Sequence, residues 1–273
     1  MALGLITISA WLLATAAAPD CVPIQGSAAI LDDPAIDYVI FGEMHGTNET
    51  PALFGDLVCA AAARRPVMVA LEIPSDDQPV LDAWLASSGD AEARAALFRA
   101  SFWSSNDGRS STAMLALLER LRGMFQAHRI LGVAATMDIS AGGGADQTPY
   151  DRAMAAGWTR ALAAHPGARL LALVGSAHAV PGRVRFDDGP GFLAAASFLP
   201  RAHTVTLGNA DVGGTAWVCM AMDQCGPQPA GKGSQAWLRS IRPSTDRRDA
   251  FHWDYLYAPG KPLTPASPAR PTP

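Results

Sequence analysis

Short apolar runs alternate with longer alanine-rich amphipathic stretches along most of the chain. The runs at 38–42, 67–73, 130–135, 170–175, 204–207 and 216–220 are rich in Val, Ile, Leu and Ala and predict strands. Between them, 51–64, 78–86, 91–100, 111–127 and 150–165 carry apolar residues at helical spacing and predict helices. This alternation predicts a single α/β domain over 37–257, with a central, mostly parallel β-sheet flanked by helices. No internal repeat interrupts it.

The ends depart from the pattern. Residues 2–18 form an apolar run ending in small residues, which predicts a secretory signal peptide cleaved near Ala18, followed by an N-terminal segment at 19–36. The run is at the short end of the roughly 20 residues that span a bilayer, so no stable transmembrane anchor is expected. Residues 258–273 are proline-rich without apolar periodicity and predict a disordered tail. The stretch 140–147 contains three consecutive glycines and predicts a flexible loop, either a lid over a site or a surface insertion.

Composition narrows the partners. The chain has 273 residues, of which 49% are hydrophobic, enough to enclose a large core. Its formal net charge is −4 and no segment gathers Lys or Arg, so nucleic acid is not an expected partner. The four cysteines are an even number in a chain expected to be periplasmic or secreted, where disulfides persist. Cys219 with Cys225 and Cys21 with Cys59 is one of three possible connectivities. The absence of a C-x-x-C spacing argues against a cysteine zinc site.

The chemistry gathers where strands end. Gly42-Glu43-Met44-His45-Gly46 follows the first strand, and ligands of open α/β sheets bind beyond the carboxyl ends of strands. Glu43 and His45, two positions apart, share a face if the strand extends through them. Thr47 or Asn48 is positioned to cap the next helix, and Glu49 to favour its first turn. The second strand closes on Glu72, a carboxylate after an apolar run, which calls for a partner. The fourth ends in Gly175-Ser176-Ala177-His178, repeating the glycine-to-histidine spacing. Two imidazoles and two carboxylates in one crevice suit a divalent ion (Zn, Mn or Co) with an open position, or a glutamate-oriented histidine acting as base on water.

The segments GEMHGTNETP, ALEIP and VGSAH resemble the signature positions of the superfamily that joins erythromycin esterase-like enzymes, ChaN-type haem-binding proteins and Tiki/TraB metalloproteases. The resemblance spans roughly residues 37–200. It implies a centre built from Glu43, His45, Glu72 and His178, which would be catalytic, or ligands if a metal is used. It also draws attention to Tyr150-Asp151-Arg152-Ala153-Met154, where Arg152 is a candidate for holding a carboxylate or oxyanion. Trp103 and Arg109, in the turn-rich stretch before the helix at 111–127, are candidate substrate contacts at the pocket rim, with Ser110 or Ser111 as that helix's cap. The expected activity is hydrolysis of an ester, lactone or peptide substrate; the alternative is binding of haem or another small ligand without catalysis. The chain lacks a large inserted helical region that would cover a macrolide. His128 and His165 fall near helix C-termini and His252 in an aromatic cluster, and none is assigned chemistry.

Overall fold

The computed structural model describes residues 21–142, 146–185, 191–220, 224–233, 238–245 and 252–269. In chain order its elements are α1 (Ala28–Leu31), β1 (Tyr38–Glu43), α2 (Glu49–Ala62), β2 (Val67–Pro74), α3 (Gln78–Ala86), α4 (Ala91–Leu97), α5 (Thr112–Gln126), β3 (Gly132–Met137), α6 (Thr148–Ala163), β4 (Arg169–Gly175), α7 (Ser176–Ala179), β5 (Arg183–Val184), β6 (Phe192–Leu193), β7 (Thr204–Asn209), β8 (Thr215–Cys219), β9 (Cys225–Pro229), β10 (Ser240–Pro243) and β11 (Tyr255–Ala258).

Seven strands form the central sheet in the order β10-β11-β7-β1-β4-β2-β3. Every pairing is parallel except β10 with β11 at one edge. The strands β1, β2 and β4 are buried along their whole lengths, which is why they read as continuous apolar runs rather than alternating ones. Alternate residues nevertheless choose opposite cores. Val39, Phe41, Val69, Leu71, Leu171 and Leu173 join α2, α3 and α5 on one face. Ile40, Ala70, Leu170, Ala172 and Val174 join Met154, Ala155 and Trp158 of α6 on the other.

The ends differ most from expectation. Residues 1–18 lie outside the described residues; among those described, no helix is long and apolar enough to cross a membrane. The proline-rich end is placed against the domain through residue 269, where disorder was expected from 258 onward. Leu263 and Ala266 are buried, and 263–269 makes bridges to Gly214, Thr47 and Ser111. Prolines pre-set an extended backbone, and docking by main-chain hydrogen bonds requires no apolar periodicity. Glu49 accepts from Thr264 N at 2.8 Å and Thr264 Oγ1 at 2.7 Å, so it anchors this strap besides opening α2. Neither Thr47 nor Asn48 caps α2: Thr47 bonds Thr50, and Asn48 donates to Thr264 and Pro265. Ser111 does cap α5, accepting from Met114 N.

The cysteines pair as Cys21–Cys59 and Cys219–Cys225. Two disulfides are compatible with an extracellular or secreted protein. In the aromatic cluster after residue 251, Trp253 packs over Gly42 and Gly208, joining this segment to the sheet. Of the glycine-rich stretch, residues 143–145 lie outside the described residues, and Ile139–Ala141 forms a single 3₁₀ turn.

Candidate active site

Three neighbouring strands, β1, β4 and β2, end side by side and bring polar groups to the same edge of the sheet. Glu43 closes β1 and His45 follows it. The pairing of β2 with β3 shifts register between Leu71 and Pro74, so Glu72 stands in an irregular stretch where a side chain can be re-aimed. Gly175 ends β4, and one turn of α7 presents His178.

These four residues meet. His45 Nδ1 donates to Glu43 Oε1 at 2.8 Å, and its Nε2 lies 3.6 Å from Glu72 Oε2. His178 Nε2 lies 3.8 Å from Glu72 Oε1. Glu72 is therefore faced by two imidazoles, and it is held in place by two further donors. Arg109 Nη1 reaches its Oε1 at 2.9 Å and Gly175 N reaches its Oε2 at 2.7 Å. A Cβ on Gly175 would fall 2.8 Å from His45 Nε2, so the missing side chain is what lets the imidazole approach. An open cavity of about 460 Å³ exposes the arrangement, lined by His45, Glu72, Asp107, Arg109, Gly142, Gln147, Tyr150 and His178. A larger groove of about 560 Å³ between α3 and α4 contains no histidine and no facing acid–base pair.

Asp151 completes the set. Fully buried, it accepts from His178 Nδ1 at 2.9 Å and from Ala195 N at 2.7 Å, both on Oδ1. Each imidazole is thus bound through Nδ1 to its own buried carboxylate, which fixes the ring and leaves Nε2 free toward the cavity.

Charge follows from this geometry. Burial opposes ionisation of Glu72, but His178, His45, Arg109 and the Gly175 amide together hold its carboxyl down at about 2. Burial also opposes protonation of His45, yet Glu72 and then Glu43 outweigh it and raise its pKa. The same balance, with Glu72 and Asp151, raises His178, while the charge of His45 pulls the other way. Burial followed by the Glu72 charge pushes the Tyr150 hydroxyl up, so it stays protonated. Burial opposes ionisation of Asp107 too, but Arg109 holds it at about 2, leaving the two as a charged pair.

Of the predicted substrate contacts, only Arg109 lines the cavity. Trp103 is buried in the core, packed against Phe98 and Phe102 with Nε1 donating to Leu97 O, so it is a packing residue and not a rim contact. Arg152 is exposed and lies over the Phe198 ring, away from the cavity lining. The useful residues of that segment are its neighbours Tyr150 and Asp151. Helical spacing carried the signal: Asp151, Met154, Ala155 and Trp158 form the buried stripe of α6, and Arg152 falls off it. Accordingly, Asp151→Asn is expected to lower kcat about 100-fold by releasing His178 from its orientation, while Arg152→Ala leaves turnover unchanged. Steady-state kinetics on the two variants checks this; equal effects would remove Asp151 from the site.

Of the residues expected as a metal shell, His45 Nε2, His178 Nε2 and the Glu72 carboxylate face one another, and Glu43 lies behind the His45 ring. Glu43 binds the Nδ1 edge of His45, away from the Nε2 edge that faces the cavity, and each Glu72 oxygen accepts one hydrogen bond, from Arg109 or Gly175, and keeps a second lone pair. Among the described residues, no group of three His, Cys, Asp or Glu side chains is placed to hold a metal ion.

No protein-family profile matches the chain, and no curated protein matches it in sequence. Solved structures do superpose on it. A mutant of the erythromycin esterase EreC in its open conformation superposes with a TM-score of 0.56 at 10% identity, covering 75% of this chain and 78% of that one. The type III effector HopBA1 (TM-score 0.47, 15% identity) covers 76% of this chain and 94% of its own. RRSP, a MARTX toxin effector domain from Vibrio vulnificus CMCP6 (TM-score 0.46, 17% identity), covers 76%, and this chain spans 37% of RRSP's length. At 10% identity the likeness to the erythromycin esterase is one of fold.

Proposed function

We propose that the cavity is a hydrolytic centre in which His45 and His178 work as an acid–base pair around Glu72, cleaving an ester, lactone or peptide bond. The observation that carries this reading is the pairing of each imidazole with its own carboxylate through Nδ1, while both Nε2 atoms converge on Glu72 at 3.6 and 3.8 Å. An imidazole held in this way can accept or donate a proton at Nε2 without reorienting.

The shared carboxylate favours a first proton on the pair, and the charge of that proton opposes a second. With one ring neutral and one protonated, the neutral Nε2 takes a proton from water as its oxygen attacks the carbonyl carbon. The protonated ring gives its proton to the departing oxygen or nitrogen, so water divides into the OH of the new acid and the H of the leaving group. Tyr150, kept protonated, and Arg109 border the cavity and are the donors assigned to the substrate carbonyl in this reading. Neither step needs a covalent intermediate.

The likeness in fold to an erythromycin esterase supports hydrolysis as the reaction class. On this reading the histidines and Glu72 move the protons themselves, so exhaustive dialysis against a chelator is expected to leave ester or lactone turnover unchanged. Loss of activity restored by zinc, manganese or cobalt would replace this reading with a metal-dependent one. A screen of simple esters, lactones and peptides, with a saturable Soret shift on haem addition as the competing outcome, tests the function itself.

A further inference from the structure

Two segments far from the site in sequence converge on the loops that carry His45 and Arg109. The turn after β1 passes through Gly46 at φ +74°, and the loop before α5 passes through Gly108 at φ +91°. A Cβ on Gly46 would run into the Trp217 carbonyl oxygen, and one on Gly108 would lie 2.6 Å from that same oxygen and 2.7 Å from Gly46. The two loops and β8 therefore touch backbone to backbone, which only glycine permits. The Gly46 carbonyl accepts from both Trp217 N and Ala266 N, each at 2.8 Å. The Asn106 carbonyl accepts from Trp217 Nε1 at 3.2 Å and contacts Cys219 Sγ at 3.1 Å. Ala269 N donates to Ser110 O at 2.9 Å. Cys219 is itself tied to Cys225 across the β8–β9 hairpin.

We propose that the β8–β9 hairpin, closed by Cys219–Cys225, and the strap at 263–269 form a clamp that positions His45 and Arg109 against Glu72. Trp217 is its central positioning residue: its amide and carbonyl meet the His45 turn, and its indole meets the Arg109 loop. The strap holds both loops as well, through Ala266 N on Gly46 O and Ala269 N on Ser110 O. The kinetic part of this inference rests on the hydrolytic reading; the placement of the two side chains does not.

The test compares the full chain with Cys219→Ser/Cys225→Ser, using Cys21→Ser/Cys59→Ser as a control disulfide outside the clamp. Turnover and an NMR titration of the His45 ring are measured on each. In the hairpin variant kcat is expected to fall about tenfold with little change in KM, and the His45 titration to move toward the ordinary histidine range. The control loses thermal stability but keeps both readouts. Trp217→Phe, which removes one indole N–H and leaves the core intact, is expected to give a smaller shift of the same sign. A folded hairpin variant with an unmoved His45 titration overturns the clamp, as does the same shift in the control variant. If the titration moves but the unaltered protein hydrolyses none of the substrates screened, the hydrolytic reading fails while the clamp stands.

Discussion

Replacing His45 or His178 by Ala is expected to lower kcat/KM by about 10²- to 10⁴-fold, the range over which a positioned acid or base contributes. Each substitution removes a different half of the proton transfer, so the double variant should be little worse than either single one. Groups that act as a unit show that non-additivity. The fold should persist, because both rings face the cavity and neither belongs to the two main hydrophobic clusters. Steady-state kinetics with far-UV circular dichroism checks both halves. A double variant whose loss equals the product of the single losses would mean that the two imidazoles work independently.

Glu72→Gln is expected to act on the largest number of partners at once. Removing the charge leaves Arg109 with Asp107 and deprives both imidazoles of the carboxylate whose charge raises their pKa most, with Glu43 and Asp151 still acting on one ring each. Breaking such a buried pair costs about 3 kcal/mol, read as a fall in Tm of roughly 10 °C. The sign with pH follows from the shifts. The carboxyl of Glu72 is depressed from 4.5 to about 2, so its contribution is present above pH 4.5 and disappears as pH falls toward 2. The raised histidines contribute fully below 6.5, and that contribution is lost as pH rises through their folded values. The stability gap between the protein and its variant should therefore be widest between about pH 4.5 and 6.5 and narrow on both sides. Urea unfolding at a series of pH values measures it, and a gap independent of pH would refute the electrostatic assignment. In the same variant the whole pH–rate profile should move to lower pH.

Much of this arrangement is legible before folding. Glu43, His45, Glu72 and His178 stand out at the strand ends because a carboxylate or imidazole directly after a buried apolar run must be paired or put to use. The parts that stay hidden depend on contacts distant in sequence. Asp107 comes to the cavity with Arg109, which crosses from the loop before α5 to reach Glu72, and Tyr150 comes to it from the first turn of α6. The edge strand β10 and its neighbour β11 are four residues each, one of them ending in proline, too short to show a period. The strap hides for a similar reason: it is held by main-chain bonds to Gly46 and Ser110 and by Glu49, and none of these leaves a pattern in its own residues. Trp103 passes for a rim contact because a large aromatic near polar residues looks the same in sequence whether it faces solvent or core.

The glycines beside the two histidine segments meet two different demands. Gly46 bends through a left-handed conformation, whereas Gly175 adopts φ −53° and ψ 142°, a backbone any amino acid accepts with ease. What position 175 requires is emptiness. A methyl group there would occupy the place of the His45 ring edge, so the smallest residue shapes the reaction chamber by leaving room within it, and a search guided by turn geometry alone would overlook it.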